Sequence, residues 1–310
     1  MHQDFEQAYE RYLAGFSKTL TEEQHRAYRE YALGNRQRGV ATVKTIASLL
    51  GEGLAGMNCL DVGSGYGGLL LAMATEAASV VGIEYAKDLF DLSRLNVAGE
   101  EGNIEIHLGN ILDADLILSN RKFDLITVGD VFEHIYEIDH LFKRLSMLSH
   151  DETVIYFEIP NHRSHHAIRK EHHKFIFGLT MLDVGSWAEM IGTFNIYHRP
   201  FSIYKLLFQS IGCNLITLAL EKSKAAGVLD RVKKAHDEID FEFNGAIFPS
   251  DRLKYQAKAN FERLKRYLVE DTVSYDESEL FSDYESYIWS GVATRVGTSV
   301  SPGYLTYSLS

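Results

Sequence analysis

The side chains best placed for chemistry gather around one stretch, Leu60-Asp61-Val62-Gly63-Ser64-Gly65-Tyr66-Gly67-Gly68. An apolar run ends in a carboxylate, and a cluster of glycines follows. Such a turn lets a ligand approach bare backbone and aims the N–H groups of the next helix at it. Glu84 closes a second apolar run, Val80-Val81-Gly82-Ile83. A carboxylate at that distance can accept hydrogen bonds from a ribose diol. A third group is imidazole: His134, then His162, His165, His166, His172 and His173. Histidine titrates near neutral pH, so it can take a proton from a hydroxyl or amine nucleophile. The pattern is that of a nucleoside-containing cofactor on a glycine turn, with an acceptor activated beside it.

The bulk properties narrow the setting. The 310-residue chain carries a net charge of −12, which disfavours a nucleic-acid partner, since phosphates call for clustered Lys and Arg. Cys59 and Cys213 lie in apolar runs and read as two reduced, buried thiols. The first residues, Met1-His2-Gln3-Asp4-Phe5-Glu6, lack the pattern of a secretory leader. No apolar stretch approaches the ~20 residues of a membrane helix. A soluble, cytoplasmic protein is expected.

The elements that must position these side chains follow from periodicity. Phe5, Tyr9, Tyr12 and Phe16 recur at helical steps, Thr21-Glu22-Glu23-Gln24 fits a capping box, and a third helix is expected from about Val40 to Leu50. From residue 57 strands and helices alternate. Strands are expected at 57–62, 79–84, 103–108, 123–129 and 153–159, with helices at 67–77, 87–98 and 137–148. This alternation implies a parallel, doubly wound sheet whose ligand crevice lies at the strands' carboxyl ends. Residues 161–200 form an aromatic and histidine-rich insertion at that edge, including Phe194. Helix 201–211 and strand 213–220 resume the pattern, and 221–285 is charged and helical. A late strand near Tyr287–Arg295 is placed to pair antiparallel with 213–220. The expected organisation is a helical cap or lid at 1–56, a cofactor-binding core at 57–220, a helical insertion at 221–285, and a last strand and tail at 286–310.

Gly63-Ser64-Gly65-Tyr66-Gly67-Gly68 satisfies G-x-G-x-x-G, which alone also suits a dinucleotide. Three features favour S-adenosylmethionine. Asp61 can hold a cationic amino group and would repel a pyrophosphate. Asn110, in His107-Leu108-Gly109-Asn110-Ile111, can read an adenine edge at the end of the third strand. Asp130 ends Phe123-Asp124-Leu125-Ile126-Thr127-Val128-Gly129 and faces the reacting sulfonium. These segments, in this order, resemble class I S-adenosylmethionine-dependent methyltransferases over about residues 57–220. Asp130-Val131-Phe132-Glu133-His134-Ile135 and Val154-Ile155-Tyr156-Phe157-Glu158-Ile159-Pro160-Asn161 resemble the small-molecule branch that includes the ubiquinone-pathway O-methyltransferases. Asn110 departs from that pattern, since many relatives carry Asp there. The fold class implied is α/β: a doubly wound, mostly parallel seven-stranded, Rossmann-like sheet with added helices at both ends.

The resemblance implies S-adenosylmethionine as cofactor and S-adenosylhomocysteine as product. The expected cofactor-binding set is Asp61, Gly63, Ser64, Gly65, Tyr66, Glu84, Tyr85, Asn110, Ile111 and Asp130. The expected catalytic set is His134, His172, His173 and His162. His134 is read either as the base or as a residue that bonds backbone and shapes the pocket floor. Tyr66 lies either on the cofactor or at the solvent edge. Arg36 and Arg38 either meet an anionic group or are surface side chains. No metal ligand is assigned, and a divalent metal on the 162–173 histidines is not favoured. The acceptor is expected to be a small molecule, a sugar or secondary metabolite, methylated on a hydroxyl or amine. The alternatives are a protein or nucleic-acid methyltransferase and a non-catalytic cofactor-binding partner subunit. A homodimer through 221–285 is entertained. No membrane partner is expected.

Overall fold

Strand β1 (Asn58–Val62) is buried on both faces, which is why it reads as a continuous apolar run rather than an alternating one. It is flanked in parallel by β2 (Ser79–Glu84) and β4 (Phe123–Gly129). β3 (Ile104–Leu108) extends the sheet beyond β2, and β5 (Ser149–Pro160) extends it beyond β4, again in parallel. The computed structural model describes residues 3–16, 20–100, 102–119, 121–192, 196–217, 225–295 and 305–307. Residues 218–220, expected in the sixth strand, lie outside them, as do Phe194, the start of the helical insertion at 221–224, and 296–304 and 308–310 of the tail.

The sheet order is β3-β2-β1-β4-β5-β7-β6-β8. β7 (Ile288–Thr294) lies antiparallel between β5 and β6 (Asn214–Thr217). The seven expected strands are all present. An eighth, β8 (Leu305–Tyr307), adds to the count by pairing antiparallel with the outer edge of β6. It satisfies backbone groups that an edge strand leaves unpaired. β1 connects onward to β2 on one side while β4 lies on the other. Strand order therefore reverses between β1 and β4, and their carboxyl ends open the crevice.

Two helical layers cover the sheet. On one face α3 (Asn35–Leu50) and α4 (Gly68–Ala74) bury Val43, Ile46, Leu70 and Met73 against Cys59, Val80, Leu125 and Tyr156. α3 begins at Asn35, earlier than expected, because Gly34 is a junction and not a break: α2 (Glu22–Leu33) runs almost directly into it. On the other face α7 (Ile138–Leu148) and α10 (Phe201–Ser210) bring Phe142 and Phe208 together in a T-shaped pair, 4.7 Å between centroids. The remaining helices of this series are α1 (Gln3–Phe16), α5 (Lys87–Val97), α6 (Ala114–Leu118), α8 (His165–Arg169) and α9 (Val184–Ile191). Cys59 and Cys213 are buried free thiols.

The insertion after β5 departs from the irregular loop expected of 161–200. Ile168, Leu179, Met181, Leu182 and Trp187 share a buried core with Val228, Val232, Phe243, Leu253 and Phe261. The latter come from α11 (Val228–Gly245) and α12 (Asp251–Asp271). A segment that looks loop-like alone becomes ordered because a distant helical pair covers its apolar side chains. At the amino end Phe5, Tyr9, Leu13, Ala32 and Leu92 form another small core, and Tyr66 packs on it.

α3 and α4 meet backbone to backbone. A Cβ on Gly39 would lie 2.4 Å from the Gly68 carbonyl oxygen, a contact no side-chain motion relieves. Gly39→Ala is expected to cost about 1–3 kcal/mol, read in chemical denaturation. Gly15→Ala, where a Cβ meets nothing within 4 Å, should be neutral or mildly stabilising.

Candidate active site

The glycine turn is built by three left-handed residues, Gly63 (φ 73°), Gly65 (φ 52°) and Gly67 (φ 78°). A Cβ on Gly63 would stand 2.4 Å from Val131 Cγ2, so this position also needs glycine for space. Gly63 N–H and Ser64 N–H both donate to the Ile83 carbonyl, at 2.8 and 3.2 Å. Glu84 is buried, and each of its carboxylate oxygens accepts one backbone N–H: Gly65 to Oε2 and Ala86 to Oε1, both 2.8 Å. Each oxygen keeps a further lone pair for a ligand hydroxyl.

Carboxylates line the sheet's carboxyl edge. Asp61 is buried and accepts a 2.7 Å hydrogen bond from the Thr127 hydroxyl. Burial pushes its pKa up to about 7; the Thr127 bond opposes this, while Glu84 and Glu158 add to it. Asp130 adopts φ 54°, unusual for a residue with a Cβ. Burial, then Glu133 and Glu158, push it up to about 7 as well. Glu158 accepts from the Tyr156 hydroxyl at 2.5 Å, and the Tyr31 hydroxyl lies 3.5 Å from Asp130 Oδ2.

The four expected catalytic histidines separate into three kinds. His162 stacks on His198 with its edge on Trp289, and burial pulls its pKa down to about 3. His172 stacks on Tyr287 at 3.6 Å, and burial pulls it down to about 4. Both rings are therefore neutral at neutral pH and less basic than a free imidazole. His173 is shifted the opposite way. Its Nδ1 contacts Glu171 Oε1 at 2.9 Å and its Nε2 lies 3.5 Å from Glu133 Oε1. Burial works against the charged ring, but the two carboxylates outweigh it and push the pKa up to about 10. His134, in a 3₁₀ turn after β4, is the one of the four that is exposed. Its Nε2 lies 3.8 Å from Glu133 Oε1, and its ring meets His173 edge-on at 4.9 Å.

Glu133 and Glu171 stand outside the expected catalytic and cofactor-binding sets, yet both are almost fully buried here. Neither Glu133 side-chain oxygen accepts a hydrogen bond among the described residues. The signal in the sequence was the acid next to His134 and the acid two before His173; their burial was not visible. Donor atoms of Glu133, His134 and His173 lie within 4.8 Å of one another. One carboxylate and two imidazoles suit a divalent ion, while the His173 proton already places positive charge between Glu133 and Glu171.

The remaining positions are placed as follows. Tyr66 is half-buried and packs within an aromatic cluster. Its ring meets Tyr9 at 5.6 Å, Phe5 at 6.2 Å and Tyr31 at 6.4 Å, so it joins the turn to α1 and α2. Asn110 Oδ1 caps the following 3₁₀ turn, accepting from Leu112 N–H at 3.0 Å, and Ile111 beside it is buried. Tyr85 is 76% exposed at the mouth. Ser64 is buried, and its carbonyl accepts from Gly67 N–H at 2.8 Å. Arg36 pairs with Glu100 at 3.0 Å, and the Arg38 guanidinium lies over the Tyr31 ring at 3.7 Å.

A Rossmann-like sheet with a glycine turn and acids at its carboxyl edge is the architecture of class I S-adenosylmethionine-dependent methyltransferases. Residues 26–218 match the model of a methyltransferase domain, and the chain belongs to that family. It is 36% identical over 87 residues to the ubiquinone biosynthesis O-methyltransferase of Glaesserella parasuis serovar 5 (strain SH0165), covering 27% of this chain and 37% of that one. It is 30% identical over 115 residues to the same-named protein of Actinobacillus pleuropneumoniae serotype 7 (strain AP76), covering 36% and 48%. The chain thus spans less than half the length of these curated relatives. Among solved structures, coclaurine N-methyltransferase bound to N-methylheliamine and S-adenosylhomocysteine is 16% identical, with a TM-score of 0.45 over 82% of this chain and 70% of that one. Magnesium protoporphyrin IX methyltransferase from Synechocystis PCC 6803 is 14% identical, with a TM-score of 0.46 over 67% and 85%. Among the described residues no helix is long and apolar enough to cross a membrane.

The His173 clamp has a pH signature. A histidine whose folded-state pKa is raised stabilises the fold fully below its unfolded value of ~6.5, and the contribution is lost as pH rises toward about 10. Glu171→Gln should therefore lower the melting temperature most at pH 6 and progressively less toward pH 10. A constant difference across that window would show that the clamp carries no charge.

Proposed function

We propose that the protein transfers the methyl group of S-adenosylmethionine to a hydroxyl or amine of a small-molecule acceptor. The observation that carries this reading is the set of acids around the glycine turn. Asp61 and Asp130 are held near neutrality by burial and by neighbouring acids. A ligand bearing a sulfonium and an ammonium relieves that repulsion, whereas a pyrophosphate increases it.

In this reading Asp61 faces the amino group, Glu84 receives the ribose hydroxyls, and Asn110 and Ile111 border the adenine. The bare backbone of Gly63 to Gly65 lets the methionine portion approach. Asp130 lies toward the sulfonium. Methyl transfer is an in-line displacement: the acceptor oxygen or nitrogen bonds to the methyl carbon as the carbon–sulfur bond breaks. The sulfur keeps the electron pair, and S-adenosylhomocysteine leaves as a neutral thioether. The protein aligns the partners and excludes water. His134, exposed at the crevice and braced by Glu133 and His173, takes the acceptor's proton.

The acceptor edge, formed by the insertion after β5 and covered by α11 and α12, suits a molecule larger than a simple phenol. A sugar or secondary metabolite fits. A protein or nucleic-acid acceptor, or a non-catalytic partner role, is the rival reading. Labelled methyl supplied to fractionated extract separates these: label in small molecules supports the proposal, and label confined to macromolecules favours the rival. The proposed setting is cytoplasmic.

Two substitutions test the roles. Glu84→Ala should weaken S-adenosylmethionine binding at least tenfold by calorimetry, and unchanged affinity would remove Glu84 from the ribose site. His134→Ala should lower kcat by about 10²–10⁴ while leaving cofactor affinity within a few-fold. A variant with unaltered kcat would leave His134 as a structural residue.

A further inference from the structure

Helix α2 contributes no strand end and no glycine, yet its side chains reach both halves of the crevice. Toward the cofactor side, the Tyr9 hydroxyl donates to the Tyr28 carbonyl at 2.8 Å, and the Tyr9 ring packs on Tyr66 inside the glycine turn. Tyr31 adds a second contact to Tyr66 and reaches Asp130. Toward the acceptor side, the Tyr28 hydroxyl donates to the His173 carbonyl at 2.6 Å. Gln24 Nε2 donates to the Lys174 carbonyl at 3.0 Å, while its Oε1 is held by Thr21 N–H in the capping box. Lys170 pairs with Glu23 at 2.7 Å, and Tyr28 and Phe175 rings lie 5.8 Å apart.

The segment these contacts grip is not comfortable alone. Phe175 has φ 57°, a left-handed conformation unfavourable for a residue with a Cβ. Glu171 closes the turn from inside by accepting His173 N–H at 2.9 Å and Lys174 N–H at 2.6 Å. From outside, the two carbonyls at the apex of that turn are held by α2. The His173 ring on this turn meets Glu133 and His134. One unbroken series of contacts thus runs Tyr66, Tyr9, Tyr28, His173, His134.

We propose that Tyr28 and Gln24 are positioning residues that couple the His173 turn to the glycine turn, so that cofactor binding firms the acceptor side. This rests on the glycine turn being the cofactor site. Filling that turn fixes Tyr66, which fixes α1 and α2, which holds residues 171–175 in place. An acceptor arriving before the cofactor meets a less firmly held wall. The coupling is a free energy shared between two sites, so either occupant stabilises the other.

Hydrogen–deuterium exchange with S-adenosylhomocysteine tests this on the full chain without knowledge of the acceptor. In the wild type the ligand should slow exchange at 63–67 and also at 171–175, the latter by tenfold or more. In Tyr28→Phe, which keeps the ring and loses the hydroxyl, slowing at 63–67 should persist and that at 171–175 should largely disappear. Gln24→Ala is the second variant and should act in the same direction. A merely structural role would raise exchange at 171–175 equally with and without ligand, and that result overturns the proposal. So does a wild type in which 63–67 is protected and 171–175 is unaffected. Absence of protection at 63–67 instead refutes the cofactor site itself, and the proposal falls with it.

Discussion

The two hydrogen bonds accepted by Glu84 hold the crevice in shape. One ties the glycine turn after β1 to the end of β2, and the other fixes the chain as it leaves β2. Without them the turn would present its N–H groups in no fixed direction. The positive φ of Gly63, Gly65 and Gly67 keeps the backbone bare, but Glu84 decides where that backbone points. The same carboxylate helps to raise Asp61, so the residue that shapes the turn also sets its appetite for a cation. Structure and electrostatics at this edge are one arrangement, because every acid that positions backbone also adds negative charge to a buried site.

A single imidazolium answers part of that charge on the acceptor side. His173 sits between Glu133 and Glu171, two buried carboxylates that would be costly to leave unpaired. Neighbouring histidines take the opposite course. His162 and His172 are packed on aromatic rings and stay neutral. Six imidazoles in one stretch of sequence therefore do several jobs, and the number of histidines says little about how many meet a substrate. What separates them is the surroundings: two carboxylates for His173, a ring for His162 and His172, and for the more exposed His134 the edge of His173 beside Glu133.

The glycine turn and the strand-end acids were legible in the sequence because their determinants are local. An apolar run, an acid and a glycine turn lie within a dozen residues, and Asp61, Glu84 and Asp130 each mark a strand end that periodicity locates. The late strand β7 was also legible, since its apolar run and the matching run at 214–217 pair as expected. The acceptor half was not. Tyr287, which stacks on His172 from just before β7, and Trp289, which meets His162 from within it, arrive from more than a hundred residues away in sequence. The core under 161–200 is completed by α11 and α12, so composition alone showed histidines and aromatics but not which were covered. The aromatic partners of Tyr66 were hidden for a similar reason: Phe5 and Tyr9 come from α1.

This division has a physical consequence for how the fold serves different acceptors. The donor turn is braced within the sheet, by Ile83, Glu84 and Thr127, all on strands beside β1. The acceptor wall is braced outside it. Arg163 at the head of the insertion pairs with Asp271 at the end of α12 and with Asp283 in the turn before β7, at 3.2 and 3.3 Å. Arg169 pairs with Glu238 and Glu242 of α11. Changes in α11, α12 or the insertion therefore alter the wall through contacts that the glycine turn does not share. The link between the halves is the small set of side chains on α1 and α2. An acceptor wall built this way can change in sequence without disturbing the glycine turn, because the two are braced by different elements.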